Sequence, residues 1–140
     1  MMNAKCYELA LHNYRALSHY EDQTEEMCLM HVRENSWALE FVKNQTEEMC
    51  LEAIKGNGMA LRYVINQTDE MCLIAVTENG CALEFVKNKT QELCLEAVKR
   101  SGDMLKYVKD QTEEICLEAI KQNGYALEYV KNQTLYIFKA

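Results

Sequence analysis

The residues best suited to chemistry here are seven cysteines, three histidines and a series of paired carboxylates. A histidine near a cysteine suggests a metal ligand set or an activated thiol. His31 lies three residues after Cys28 on one helical face and replaces a residue that is small elsewhere in the chain. Two ligands do not make a metal site, and no C-x-x-C pair opens a zinc motif, so His31 is expected to be accommodated structurally. The carboxylate pairs Glu25-Glu26, Glu47-Glu48, Asp69-Glu70 and Glu113-Glu114 could be an acid and a base. Such work needs two different environments, whereas these pairs recur identically at predicted helix starts, where the helix dipole favours negative charge. No G-x-S-x-G, H-E-x-x-H or phosphate-cradling glycine loop occurs. The expectation is a chain that is not an enzyme and holds no metal or cofactor.

The pattern that positions these residues is a gapless 22-residue repeat. Five full copies run Asp22–Lys43, Asn44–Ile65, Asn66–Lys87, Asn88–Lys109 and Asp110–Lys131. A degenerate cap (residues 1–21) precedes them and a partial copy (132–140) follows, all read as one domain spanning 1–140. Divergent ends suit a stacked array, whose terminal units meet water on one side. Within a copy, Met49, Cys50, Ala53 and Ile54 form one helical face, with Leu51 widening it. Asn57-Gly58 then reads as a stop, glycine taking the left-handed conformation that ends helices. Ala60, Leu61 and Val64, with Tyr63 alongside, predict a second helix of about two turns. Helices this short are marginal alone, so stacking must stabilise them. The fold expected is an all-α solenoid, right-handed or superhelical, of helix-turn-helix units. The absence of proline agrees, since no helix carries an obligatory break.

Asn44-Gln45-Thr46 fits a glycosylation sequon, but Asp22 and Asp110 occupy the same position, and aspartate cannot take an N-glycan. Thr24, Thr46, Thr68, Thr90, Thr112 and Thr134 are kept in every copy, which suits a hydroxyl N-cap followed by acids. The alternative cap is Asn44, with Glu47 reaching back. Cys6, Cys28, Cys50, Cys72, Cys94 and Cys116 share one apolar position, and stacked equivalents would lie too far apart to bridge. Unpaired core thiols point to a reducing compartment, with cytoplasmic location expected.

A net charge of −7 disfavours phosphate backbones and anionic membranes, and no apolar run reaches 18 residues. A protein partner is therefore expected, rather than nucleic acid or membrane, and end-to-end stacking leaves homo-oligomerisation open. In a repeat array the invariant positions build the fold, which leaves specificity to variable ones. The sharpest variation follows each helix stop, at Trp37, Met59, Cys81, Asp103 and Tyr125. Beside it runs a second row of Glu34, Gly56, Glu78, Arg100 and Gln122. These rows are the candidate partner-binding stripe, against the plainer reading that they pack at the turn and tolerate variety. A second candidate surface is the ridge of acidic helix starts, expected to be partly neutralised by Lys43, Lys87, Lys109 and Lys131 just before it. It would suit a basic partner, and the alternative function is an acidic inhibitor or nucleic-acid mimic blocking a basic nucleic-acid-binding protein.

The recurrent core C-L-E-A-[IV]-K followed by G-x-A-L-x-[FY]-V resembles the tandem repeats of a family called domain of unknown function 4116, from giant viruses and some bacteria. The resemblance runs from Asp22 to Thr134. It implies a repeat fold and a viral or bacterial setting, with the host cytoplasm as location if viral, and brings no catalytic residues. Ser101-Gly102-Asp103-Met104 departs from its N-G-x-A pattern and puts the second helix of the fourth unit in question.

Overall fold

A computed structural model describes residues 13–133; most of both terminal caps, including Cys6, His12 and Thr134, lies outside the described residues. Every described helix is short. Five α-helices of ten residues each, α1 (Glu25–Glu34), α2 (Glu47–Gly56), α3 (Asp69–Glu78), α4 (Gln91–Arg100) and α5 (Glu113–Gln122), begin the five repeat units. Six-residue helices alternate with them: η1 (Tyr14–His19), η2 (Ser36–Phe41), η3 (Gly58–Tyr63), η4 (Gly80–Phe85), η5 (Gly102–Tyr107) and η6 (Gly124–Tyr129). There is no strand among the described residues. Each α-helix packs on the next α-helix and on the η helices before and after it. The result is an all-α solenoid with one layer of α-helices and one of η helices.

Threonine opens each α-helix. Thr24, Thr46, Thr68, Thr90 and Thr112 accept from the backbone N–H three residues on, at 3.2 or 3.3 Å, which settles the cap on threonine rather than asparagine. The apolar face is buried as its spacing predicts: Met49, Cys50, Ala53 and Ile54 are all at most 3% exposed.

The second helix of the unit differs from expectation, being 3-10 rather than α. Ala60 N–H bonds to Asn57 O at 2.9 Å and Val64 N–H to Leu61 O at 3.1 Å, both i to i+3. At three residues per turn, Leu61 and Val64 eclipse and point together into the core, as Ala60 and Tyr63 do on the adjacent line. Six residues is long for a 3-10 run, and both ends are held. At the start, the Asn57 side chain accepts from Met59 N–H at 3.0 Å, and Asn35, Asn79 and Asn123 repeat this. The departure in the fourth unit does not cost it this helix: η5 forms although Ser101 makes no side-chain cap, with Met104 4% exposed in the alanine position.

The glycine stop is likewise corrected. No described glycine has positive φ. The reversal is made one residue earlier, where Asn57 is extended (φ −156°, ψ 111°) and its N–H closes the last α-helical turn on Ala53 O. Glycine is required by the neighbouring unit instead. A Cβ on Gly58 would stand 2.5 Å from the carbonyl oxygen of Ala75 in α3, and one on Gly80 would stand 2.9 Å from Arg100 Cβ and 3.1 Å from Ala97 O. Gly102 is similarly covered by the Ala119 carbonyl, whereas Gly124 has nothing within 4 Å. Ser36, the exception at this position, faces Gly56, where a Cβ would collide with its hydroxyl. Gly56 is thus the small partner that lets a serine fit.

Candidate functional site

A glutamine ladder joins the units, and it escaped the sequence reading. The second residue of the unit is glutamine at Gln23, Gln45, Gln67, Gln111 and Gln133, and lysine at Lys89. Gln45 Nε2 donates to Tyr63 O at 2.7 Å and to Leu39 O of the preceding unit at 3.5 Å, while its Oε1 accepts from Ile65 N–H at 3.0 Å. Gln23, Gln67 and Gln111 do the same for Lys43, Lys87 and Lys131 N–H, at 2.9 to 3.0 Å. Each carboxamide closes the end of an η helix and ties it to the one before. The buried thiols of Cys28, Cys50, Cys72 and Cys116 also donate to this Oε1, at 3.5 to 3.7 Å. The signal was present as a near-invariant polar residue beside the invariant threonine.

These thiols belong to the core. Burial pushes Cys28, Cys50, Cys72 and Cys94 up from the ordinary thiol range, with Glu47 adding to the rise at Cys50. At Cys72, Asp69 adds to it and Lys87 opposes it, whereas at Cys94 Lys89 opposes it and Asp110 adds. A raised thiol is a poor nucleophile at neutral pH. His31 is 2% exposed, and its Nδ1 has no partner. Burial pushes its imidazole down from the ordinary histidine range, favouring the neutral ring. Among the described residues, no three His, Cys, Asp or Glu side chains gather as a metal-binding group.

The variable stripe divides by exposure. Trp37, Met59, Cys81 and Asp103 are half-buried, and only Tyr125 stands free, at 85% exposure. Trp37 packs edge-on against Tyr63 with ring centroids 5.8 Å apart, and Asp103 Oδ1 accepts from Asn123 Nδ2 at 2.8 Å. Trp37 and Asp103 therefore join adjacent units, while Met59 and Cys81 pack against the core. In the second row Glu34, Gly56, Glu78, Arg100 and Gln122 are exposed. Arg100 pairs with Glu96 of its own helix at 3.1 Å, and Arg62 lies 5.2 Å from the ring centroids of both Tyr63 and Phe85.

The acidic ridge differs from expectation in its neutralisation. Lys43 Nζ donates to the Tyr20 and Glu21 carbonyls, Lys87 Nζ to Ile65 O and Lys131 Nζ to Lys109 O, so these ammoniums serve the end of the preceding unit instead of the carboxylates. Arg33 supplies the ion pairs near the amino-terminal end, with Glu48 at 3.4 Å and Glu52 at 3.5 Å. Asp69, Glu70, Glu92 and Glu114 are exposed and have no ion-pair partner among the described residues.

Between these helix starts run grooves with apolar floors. One of about 290 Å³ is lined by Asp69, Glu70, Leu73, Thr90, Glu92 and Leu93, and Leu73 is 41% exposed. The next, of about 350 Å³, is lined by Gln91, Glu92, Leu95, Thr112, Glu114 and Ile115. They repeat because the units do.

This architecture defines a class, the short-unit helical repeat proteins. More particularly, the sequence matches the family described as Domain of unknown function (DUF4116) three times in tandem, over residues 46–91, 68–111 and 90–134. The matches together span more than half of the chain, which belongs to this family. No curated protein and no solved structure matches it. No described helix is long and apolar enough to cross a membrane.

Proposed function

We propose that the chain is a non-enzymatic protein-binding module that takes a basic, leucine-containing segment of a partner protein along the grooves between its α-helix starts. The observation that carries this reading is the groove at Leu73, whose apolar floor is rimmed by Asp69, Glu70 and Glu92 without cationic partners. Acidic rims set the approach and register of a basic segment, and the apolar floor supplies affinity once water is expelled. Recurrence of the groove one unit further on would let a single helix or extended segment contact both.

Anisotropy titrations with fluorescent peptides of mixed lysine and leucine test the reading, with glutamate-for-lysine peptides as controls. Glu70→Lys with Glu92→Lys should abolish binding, Leu73→Asn should weaken it at constant salt dependence, and unchanged binding by both variants refutes the groove. A second reading, capture through the variable stripe, is favoured by the exposed Tyr125. Loss of partner capture in Trp37→Ala/Met59→Ala/Tyr125→Ala, but not in the groove variants, would transfer the function there. Pure acidic mimicry of nucleic acid predicts binding that salt removes completely and that Leu73→Asn leaves intact. The six cysteines of the described residues are all free thiols, which supports a reducing compartment such as the cytoplasm.

A further inference from the structure

We propose that the fourth unit binds a hydrogen-phosphate group in the recess between the turn that opens it and the end of η5. The ladder glutamine is replaced here by Lys89, and the groups it serves elsewhere remain. Lys109 N–H and the Cys94 thiol, which in the other units would both donate to the glutamine Oε1, have no hydrogen-bond partner among the described residues. The Tyr107 carbonyl, which would take the glutamine Nε2, likewise has no donor. In units with glutamine the carbonyl and the N–H lie 2.7 to 3.0 Å from one carboxamide and the thiol 3.5 to 3.7 Å, so here they converge on a single small space. Gln91 does not replace that carboxamide; its Nε2 donates to Asp110 O at 3.1 Å.

Lysines line the space, although the Lys87 ammonium is held on Ile65 O of the preceding unit. Lys87, Lys89 and Lys109 line a recess of about 280 Å³ with Gln91, Cys94, Tyr107, Val108 and Asp110. Lys89 Nζ is anchored at 2.8 Å on Val86 O, which fixes its charge at the rim. Lys89 and Lys109 against Asp110 leave the recess net positive within an acidic chain. The corresponding recess of the fifth unit has Lys109 and Lys131, but Gln111 satisfies Lys131 N–H there. A ligand for the fourth unit must offer anionic oxygen to an N–H, a thiol and ammoniums, and one O–H to the Tyr107 carbonyl. A hydrogen-phosphate group has both; sulfate at neutral pH lacks the O–H.

Titrating the ¹⁵N-labelled chain with inorganic phosphate at fixed ionic strength tests the site. The Lys109 amide should shift and saturate while the Lys43, Ile65 and Lys131 amides do not, and sulfate should bind at least fivefold more weakly. Lys89→Gln, which restores the residue of the other units and so should fold, should weaken phosphate binding at least tenfold. A Lys109 amide that stays still, one that shifts equally in Lys89→Gln, or equal affinity for sulfate would each overturn the proposal. O-phosphoserine, at neutral pH mostly the dianion without the O–H, should bind more weakly than phosphate, as sulfate does, which assigns the site to the free ion; tighter binding than phosphate would overturn the proposal.

Discussion

Replacing the glycine of each unit by alanine should give opposite signs at equivalent positions. At Gly58 the added Cβ meets the Ala75 carbonyl oxygen at 2.5 Å, a backbone atom within α3 that can move only with its helix. Overpacking of this kind costs about 1–3 kcal/mol, and the smaller conformational entropy of unfolded alanine offsets about 0.4–1 kcal/mol, leaving a net loss of about 1–2 kcal/mol. At Gly124 nothing stands within 4 Å and φ is not positive, so only the gain of about 0.4–1 kcal/mol remains. Gly80→Ala should fall between, since its nearest backbone oxygen is 3.1 Å away. Urea denaturation followed by far-UV circular dichroism reads all three. Were glycine a local left-handed stop, Gly124→Ala would destabilise as much as Gly58→Ala, and that outcome refutes packing by the neighbouring unit. Gly56→Ala supplies an independent check: its Cβ would meet only the rotatable hydroxyl of Ser36, so it should cost less than Gly58→Ala.

Four further outcomes are expected. Gln67→Ala should cost about 1–3 kcal/mol in the same assay, because it leaves the Phe85 carbonyl and the Lys87 N–H unsatisfied. Lys89→Gln should instead stabilise the fourth unit, with slower amide exchange at Lys109. His31, buried with its imidazole pushed down, binds fewer protons folded than unfolded, so stability should be full above the unfolded pKa of about 6.5 and decline as pH falls below it. His31→Ala, which restores the alanine of the other units, should flatten that decline between about pH 7 and 5.5. Among the described cysteines, half-buried Cys81 should react first with a thiol reagent in the native state, ahead of Cys28, Cys50, Cys72 and Cys94, as peptide mapping would show.

The unit was legible where one residue's role is decided by its own helix. The Met49-Cys50-Ala53-Ile54 face and the threonine cap each need only helical geometry and orphan N–H groups, which spacing alone reveals. Residues whose partners sit 17 to 23 positions away were misread or missed. Gly58 looked like a stop because glycine after asparagine has a local explanation, whereas its actual constraint comes from Ala75 in the next unit. Gln45 received no role because both backbone groups it joins lie across a turn. The 3-10 form of η3 was invisible for a related reason, since Ala60, Leu61 and Val64 fit three residues per turn as well as 3.6. The lysines of the unit's last position looked like counterions for the acids that follow them, yet Lys43, Lys87 and Lys131 turn back to carbonyls of the preceding unit. That misreading changes the functional surface. With its nearest cations engaged elsewhere, the ridge at Asp69, Glu70 and Glu92 keeps its charge beside an exposed leucine. The half-buried Trp37 and Asp103 are committed to holding units together. In this array, variation along the chain marks how joints such as Trp37–Tyr63 and Asp103–Asn123 are filled, whereas the acids and leucines that line the grooves hardly vary.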